Sequence, residues 1–485
     1  MADSFYFYDL ETSSVNPRTG RIMQFAGQRT DIDLNIIGES DNILIALNED
    51  ILPDPDAVLV TGITPQYTQA EGTTEEDFLK TFNQQIATPD TIFVGYNTVR
   101  FDDEFMRSIH YRNFYDPYQW QWKDNRSRWD LLDVVRMTRA LRPDGIKWPV
   151  DSQGKPTNRL ELLTALNGLE HKHAHDALSD VYATIGLAKL IKSKQPKLFD
   201  FLLSIRGKSA IESLVNNGKP FVYSSGKYAN EYQKTAVVAK LTDHPTRGGA
   251  LVYDLRYDPS SFADMTVDQL IEAWKWQAPE ERDPNRPRLP IKSLQYNRCP
   301  AVAPIAVLDD DSQKRLNIDM DQHYDNLQKI QKISHWPERI LNALAIIDKD
   351  QQTHFDTLDS QVSKHVDVRI YDSFINNADQ ATMKDVREAR PEELIAFKTK
   401  FNDERLKLLL PLYKARNFPR KLSDQERQEW EEYKQKQLLS GGKKSLLAIY
   451  FERLNQLNLQ TDLSQDKRYL LEDLRLYGES ITPLD

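Results

Sequence analysis

The sequence predicts an α/β domain at the front, a small β-barrel in the middle and an α-helical region at the back. Three observations carry that reading. In the first third, short apolar runs of strand length alternate with stretches of helical periodicity. Between residues 220 and 307 the chain breaks into short β-prone runs divided by Gly, Pro and Asn. From Asp319 onward, apolar residues recur at helical spacing with charge on the other faces.

A chain of 485 residues exceeds one typical domain, so two or three are expected. The boundaries fall at 1–195, 196–350 and 351–485. Hydrophobic residues make up 40%, enough for ordinary cores. The single cysteine, Cys299, excludes an internal disulfide framework and a cysteine-based zinc site, and fits a reducing cytoplasm. Met1-Ala2-Asp3-Ser4 has no signal-peptide pattern, and no run of about 20 apolar residues would span a bilayer. The net charge of −10 is not that of a general nucleic-acid coat protein, so a nucleic-acid substrate would need a local basic channel.

The first strand is Phe5-Tyr6-Phe7-Tyr8-Asp9-Leu10-Glu11-Thr12. Four consecutive aromatics imply burial on both faces. Side chains at i and i+2 share a face, so Asp9 and Glu11 would meet where water is scarce. Two close anions there resist ionisation. A divalent cation with hard oxygen ligands, magnesium or manganese, would relieve them. The bland alternative is an Asp-x-Glu at an exposed strand end.

Arg21 to Arg29 and Leu34 to Leu47 read as further strands. Thr73 to Ile86 reads as a helix with Thr74 and Asp77 as its capping pair. Ile92 to Tyr96 is a short strand feeding Asn97, a turn or cap residue, and then a helix with Phe101, Phe105 and Ile109 on one face. Asp102 adjoins that face and can look back to the strand end. Asp103 reads as a dipole-stabilising acid on a surface helix. Leu131 to Leu141 is amphipathic, which gives Arg136 an ordinary helical explanation. Asn158-Arg159-Leu160-Glu161 has the form of a capping box, with Leu160, Leu163 and Leu166 as its stripe. Arg159 then stands at the first helical position, either as a surface arginine or aimed at a phosphate. His171, His173 and His175 precede a helix over Val181 to Lys192, with Asp180 at its entrance. His175 belongs in the entering loop, since five residues on one helix would turn it away from Asp180.

Between the acids, Tyr111 to Lys123 and then Arg126, Arg128 and Trp129 interleave aromatics with cations. Rings stack on exposed bases and arginines pair with phosphates, which is what a single strand needs. A packed aromatic subdomain is the alternative. In the middle third, Pro220 to Ser224, Thr235 to Leu241, Ala250 to Tyr257 and Leu289 to Val307 have strand character, with a helix over Met265 to Trp276. Cys299 reads as a buried apolar residue. The helices of the last third are expected at Tyr324 to Ile333, Pro337 to Ile347, Asp379 to Glu388, Pro391 to Phe401, Asp403 to Tyr413, Asp424 to Leu439 and Lys444 to Leu457, as a packing and clamping module.

An Asp-x-Glu on a first strand, an Asp opening a middle helix and His-x-x-x-x-Asp before a last helix resemble the DEDD exonucleases, in their histidine subclass. The strings from Gly95 to Val134, Arg139 to Pro149, Arg159 to Gly186 and Tyr413 to Pro419 are similar to the bacterial exonuclease I family. The resemblance covers most of the chain and is densest before residue 200. Ser14 departs from it, standing where a glycine often follows Asp-x-Glu-Thr. The resemblance implies a ribonuclease H-like exonuclease domain, a Src-homology-3-like barrel and a helical C-terminal domain. It implies processive 3′–5′ degradation of single-stranded DNA to 5′-mononucleotides, in repair and recombination. Asp9, Glu11, Asp102 and Asp180 would hold two Mg2+ ions, with Mn2+ able to substitute, and His175 would act as base. Glu11, Arg107, Tyr118, Trp122, Arg136, Arg159 and Lys208 would contact the strand, with Arg298 a further candidate. The implied partners are single-stranded DNA and the C-terminal tail of single-strand-binding protein, for a cytoplasmic monomer with no membrane contact.

Three other readings compete. A related exonuclease for short RNA or proofreading would lack the long C-terminal addition. A catalytically dead binding protein would lack an acid, and none is missing. A zinc hydrolase built on His171, His173 and His175 would work with zinc but not magnesium.

Overall fold

The computed structural model of the protein describes residues 3–170, 176–275, 287–358 and 365–482, and the side chains of all these except 351–358. Its first sheet contains β1 (Ser4–Thr12), β2 (Ile22–Asp31), β3 (Asp41–Leu44), β4 (Thr91–Gly95) and β5 (Ser127–Asp130) in the order β3-β2-β1-β4-β5. β2 runs antiparallel to both β1 and β3, whereas β4 is parallel to β1 and to β5. The helices of this region are α1 (Pro55–Thr61), α2 (Pro65–Glu71), α3 (Glu75–Thr81), α4 (Asp102–Arg112), α5 (Leu131–Leu141), α6 (Leu160–Leu166) and α7 (Ala177–Lys194).

β1 is the centre of this sheet, and its aromatics are buried as the sequence requires. Phe5 and Phe7 enter one hydrophobic cluster while Tyr6 and Tyr8 enter another, so the strand is covered on both faces. Pairing with β4 stops at Phe7 opposite Val94. β1 runs on through Asp9 and Glu11, held only by β2, with Asp9 opposite Ala26 and Glu11 opposite Gln24. The freed edge is where a site can form. The chain leaves β4 at Gly95, where a Cβ would lie 2.0 Å from Thr98 Cγ2 and 2.9 Å from the Tyr8 carbonyl oxygen. Asn97 follows in the left-handed region at φ 72°, a conformation asparagine tolerates, and turns the chain into α4.

The second sheet contains β6 (Phe221–Ser224), β7 (Thr235–Asp243), β8 (Gly249–Asp254), β9 (Ile291–Gln295) and β10 (Ala301–Pro304). Every pairing is antiparallel, in the order β10-β6-β7-β8-β9. A helix over Val267–Trp274, opened by a Thr266–Gln269 capping box, is inserted between β8 and β9. Helices then run to the end, among them Met320–Lys332, Trp336–Leu358, Asn377–Glu388, Glu404–Asn417, Asp424–Leu439, Leu446–Asn458 and Gln465–Ser480.

The Thr74 cap forms: its hydroxyl accepts from the Asp77 amide at 3.1 Å, and α3 continues as a π-helical turn over Phe82–Ile86. Four expectations need correction. The stretch Leu34 to Leu47 is not one strand; Leu34 sits in a turn at φ 68° and only Asp41–Leu44 pairs as β3. The Asn158 capping box does not form, because the Asn158 side chain accepts from Arg139 Nη1 at 3.2 Å. α6 therefore starts at Leu160 with Arg159 at its cap, and Leu166 is exposed. α4 is not a surface helix: nearly all its residues are buried, Asp102 and Asp103 included. Pro391–Phe397 is a 3-10 segment rather than an α-helix, and the helix Gln465–Ser480 was not foreseen.

The front and back of the chain are joined by buried charge. Arg416 meets Asp50 at 2.6 Å and Asp367 at 2.9 Å, and Arg21 meets Asp367 at 2.6 Å. This explains the Tyr413 to Pro419 string. Its Tyr413 is core, its Arg416 carries the ion pairs, and its Asn417 Oδ1 accepts from the Glu76 amide at 3.0 Å.

Candidate active site and strand groove

Asp9, Glu11 and Asp180 converge, each offering a carboxylate oxygen within 4.8 Å of the others. Two come from the free end of β1. The third comes from the first turn of α7, which packs across β1 and β2. Asp102 opens α4 and is 4% exposed, and its carboxyl feels the charge of Asp9. His175 lies outside the described residues, as do His171 and His173.

Burial and mutual repulsion set the electrostatics. Glu11 is pushed up to about 9, by burial first and then by the charges of Asp9, Asp180 and Asp176. Asp9 and Asp102 are likewise held well above the ordinary carboxylate range, burial again leading. Asp176 is an acid the sequence reading missed; it caps α7 by accepting from the Ser179 amide at 2.9 Å. Its signal was available, an Asp three residues before Ser179 at a helix start. Hard anionic oxygens repelling one another in a dry place fit a divalent cation.

The pH dependence follows. Glu11 has an ordinary value of 4.5 and a folded value of about 9. Between those values the folded protein keeps a proton that the unfolded chain has lost, so without metal stability falls as pH rises. A cation replaces that proton. The rise in melting temperature caused by Mg2+ should therefore be larger at pH 8.5 than at pH 6. Melts with and without Mg2+ at both values check this; a gain independent of pH contradicts it.

Asp103 does not stabilise an exposed helix end. Its Oδ1 accepts from the Tyr8 hydroxyl at 2.6 Å and its Oδ2 pairs with Arg128, fixing α4 against the central strand.

Beside α4 opens a cleft of about 950 Å3 with walls from all three parts of the chain. Among the described residues nine cations line it, Arg18, Arg100, Arg107, Arg126, Arg128, Arg206, Lys208, Arg247 and Arg298, with one acid, Glu104. Tyr118, Trp122, Tyr296, Tyr371 and Phe374 add aromatic surface. Of the expected strand contacts, Arg107, Tyr118, Trp122, Lys208 and Arg298 are here. Arg107 is fixed by Gln121 Oε1 at 3.1 Å and lies 5.7 Å from the Tyr118 ring centroid. Trp122 is 61% exposed, whereas Trp120 and Trp129 are core. Arg136 and Arg159 do not line this cleft. Arg136 pairs with Asp133 at 2.5 Å beside Gly226 of the barrel, and Arg159 pairs with Glu161 at the surface. Arg18, Arg100, Arg206 and Arg247 went unforeseen, as did Tyr371 and Phe374. Phe374, 89% exposed, gave one signal: an aromatic in a polar stretch with no helical period.

Comparison with known proteins assigns the parts. Residues 6–188 match the family described as Exonuclease, 206–345 the Exonuclease I SH3-like domain and 364–481 the Exonuclease I C-terminal domain. The chain is 39% identical over 481 residues to the Exodeoxyribonuclease I of Escherichia coli (strain K12), covering 99% of this chain and 98% of the relative. Among solved structures, E. coli Exonuclease I in complex with a dA16 oligonucleotide superposes with a TM-score of 0.90 at 39% identity, covering 99% of this chain and 100% of that one. An ExoI/SSB-Ct complex superposes at 0.89 with 38% identity and the same coverage. With an exonuclease fold that implies dependence on a divalent metal, and three matched families in order along one chain, the protein belongs to the exodeoxyribonuclease I family and is an exodeoxyribonuclease.

Proposed function

We propose that this protein degrades single-stranded DNA processively from the 3′ end to 5′-mononucleotides by two-metal-ion hydrolysis, in DNA repair and recombination. One observation carries the reading. α4 opens with Asp102, whose carboxyl feels the charge of Asp9, and further along the same helix Glu104, Arg107 and Ser108 line the basic cleft. At 1.5 Å rise per residue, Asp102 and Arg107 are separated by about 7.5 Å along the helix. A strand gripped in the cleft thus has its end within reach of the acids. The oligonucleotide-bound relative supports the substrate class, and the SSB-Ct complex supports the tail of single-strand-binding protein as a partner.

Asp9, Glu11, Asp102 and Asp180 would hold two Mg2+ ions, for which Mn2+ could stand in. When bound, such ions supply Lewis-acid polarisation of the phosphodiester, a water acidic enough to attack it, and stabilisation of the departing 3′ oxygen. Glu11 also positions the terminal nucleotide. His175 takes the water's proton at a ring nitrogen, a role worth about 10²–10⁴ in rate. His175→Ala should therefore slow single turnover by that factor while strand affinity changes little. Unchanged turnover would shift the role to His171 or His173.

Arg107, Tyr118, Trp122 and Lys208 hold the strand in the cleft. Arg136 and Arg159, outside the cleft, are further strand contacts by the family resemblance. The Arg159 pair with Glu161 is exposed, and exposed pairs are weak enough for a phosphate to displace. Affinity should fall with salt at a log–log slope of about −0.7 per phosphate gripped. Anisotropy titrations across a salt series measure it, and a flat response contradicts a phosphate-lined groove.

End-labelled single- and double-stranded oligonucleotides, with Mg2+ or chelator, test the whole reading. The single strand should shorten from its 3′ end in Mg2+ and survive in chelator, while duplex resists. Equal attack on duplex, or cleavage in chelator, overturns it.

A further inference from the structure

Among the described residues Glu104 is the one acid lining the basic cleft, and both of its oxygens are engaged. Oε1 accepts from Arg107 Nη1 at 2.7 Å and from Arg298 Nη2 at 2.9 Å; Oε2 accepts from the Tyr371 hydroxyl. The partners come from three places. Arg107 lies one turn along α4, Arg298 lies between β9 and β10 of the barrel, and Tyr371 ends the 3-10 segment Val366–Tyr371 that leads the C-terminal region. Two residues before Glu104, at the start of the same helix, stands Asp102.

A carboxylate in a groove for a polyanion opposes binding by charge alone. Its geometry acts the other way. Guanidiniums on long side chains lose rotamer freedom when they close on a phosphate. Here that freedom is already spent, because one carboxylate fixes two of them while the Arg298 Nη1 also reaches the Val99 carbonyl at 3.3 Å. Groups ordered before binding cost the ligand less.

We infer that Glu104 is a positioning residue for the strand. It aims Arg107 and Arg298 and ties the barrel and the C-terminal region to the helix that carries Asp102. This rests on the reading of the cleft as the strand groove. The competing role, an autoinhibitory anion that a phosphate must displace, predicts the opposite sign.

Glu104→Gln keeps the shape and removes the charge. Binding of a 5′-labelled oligothymidylate is measured in chelator by anisotropy. Single-turnover cleavage and run length under a DNA trap are measured in Mg2+. With two side chains released, Kd and KM should rise about tenfold. Single-turnover rate at saturating strand should stay within about twofold, and runs should shorten. Equal or tighter binding by E104Q overturns the inference. Tyr371→Phe, which deletes one hydroxyl, should shift affinity and run length in the same direction by about threefold. It decides the matter if E104Q melts early, and unchanged values in Y371F overturn the three-part tie. Wild-type protein that binds no single strand would instead defeat the groove reading itself.

Discussion

Asp180→Ala is expected to abolish cleavage while the chelated protein still binds its strand and melts at a higher temperature than wild type. The two halves of this result share a cause. Asp180 is the acid that α7 delivers to the two on β1, and its charge helps hold the carboxyls of Asp9 and Glu11 above their ordinary range. Without a cation the three repel in a desolvated corner, so deleting one relieves about 0.5–2 kcal/mol, the usual size of a single stabilising substitution. With a cation the same deletion removes a ligand. Losing a group that merely supports a ligand costs about 10–100-fold, so losing the ligand itself should exceed about 100-fold. Melts in chelator and in Mg2+, with single-turnover cleavage, check both halves. Turnover within tenfold of wild type would remove Asp180 from the mechanism. A lower melt in chelator would mean its carboxylate was stabilising rather than strained.

The acid cluster could be read from the sequence because its key geometry is local. Asp9 and Glu11 are two residues apart on a strand whose aromatics announce burial, and the strand period alone puts them together. Asp180 lies in the first turn of α7, which starts at Ala177 rather than the expected Val181, and Asp102 opens α4, positions that a short window recognises. The Thr74 cap and the span Leu131–Leu141 were legible for the same reason. Where a competing partner lay far along the chain, the local reading failed. Asn158 has the form of a capping residue, but Arg139 claims its side chain. Asp103 and Glu104 look like ordinary first-turn acids. Their partners Tyr8, Arg298 and Tyr371 lie 95, 194 and 267 residues away. The cleft itself is assembled from three regions, and no periodicity links Arg18 to Arg247 or Phe374.

Arg416→Ala carries the largest expected cost in stability. The guanidinium is buried between Asp50 of the exonuclease region and Asp367 of the C-terminal region. Removing one partner of a buried pair leaves uncompensated charge, at about 3–5 kcal/mol. Arg21 still reaches Asp367 at 2.6 Å, so the loss falls chiefly on Asp50 and on the seam between the two regions. The pH dependence separates this cause from lost packing. In wild type the Arg416 and Arg21 charges outweigh burial and hold the Asp367 carboxyl well below its ordinary value. Its contribution is therefore present above about pH 4 and disappears as pH falls through the lowered value. In the variant Asp367 has lost its strongest attractive charge and regains its proton at higher pH, which removes its penalty. The melting deficit should be greatest near pH 7 and shrink toward pH 4.5. Run length under a DNA trap should fall as well, because Tyr371 and Phe374 reach the cleft from the region that Arg416 secures. A deficit of the same size at every pH would assign the loss to the missing side-chain volume. Undiminished runs in a correctly folded variant would separate the buried pair from the grip on the strand.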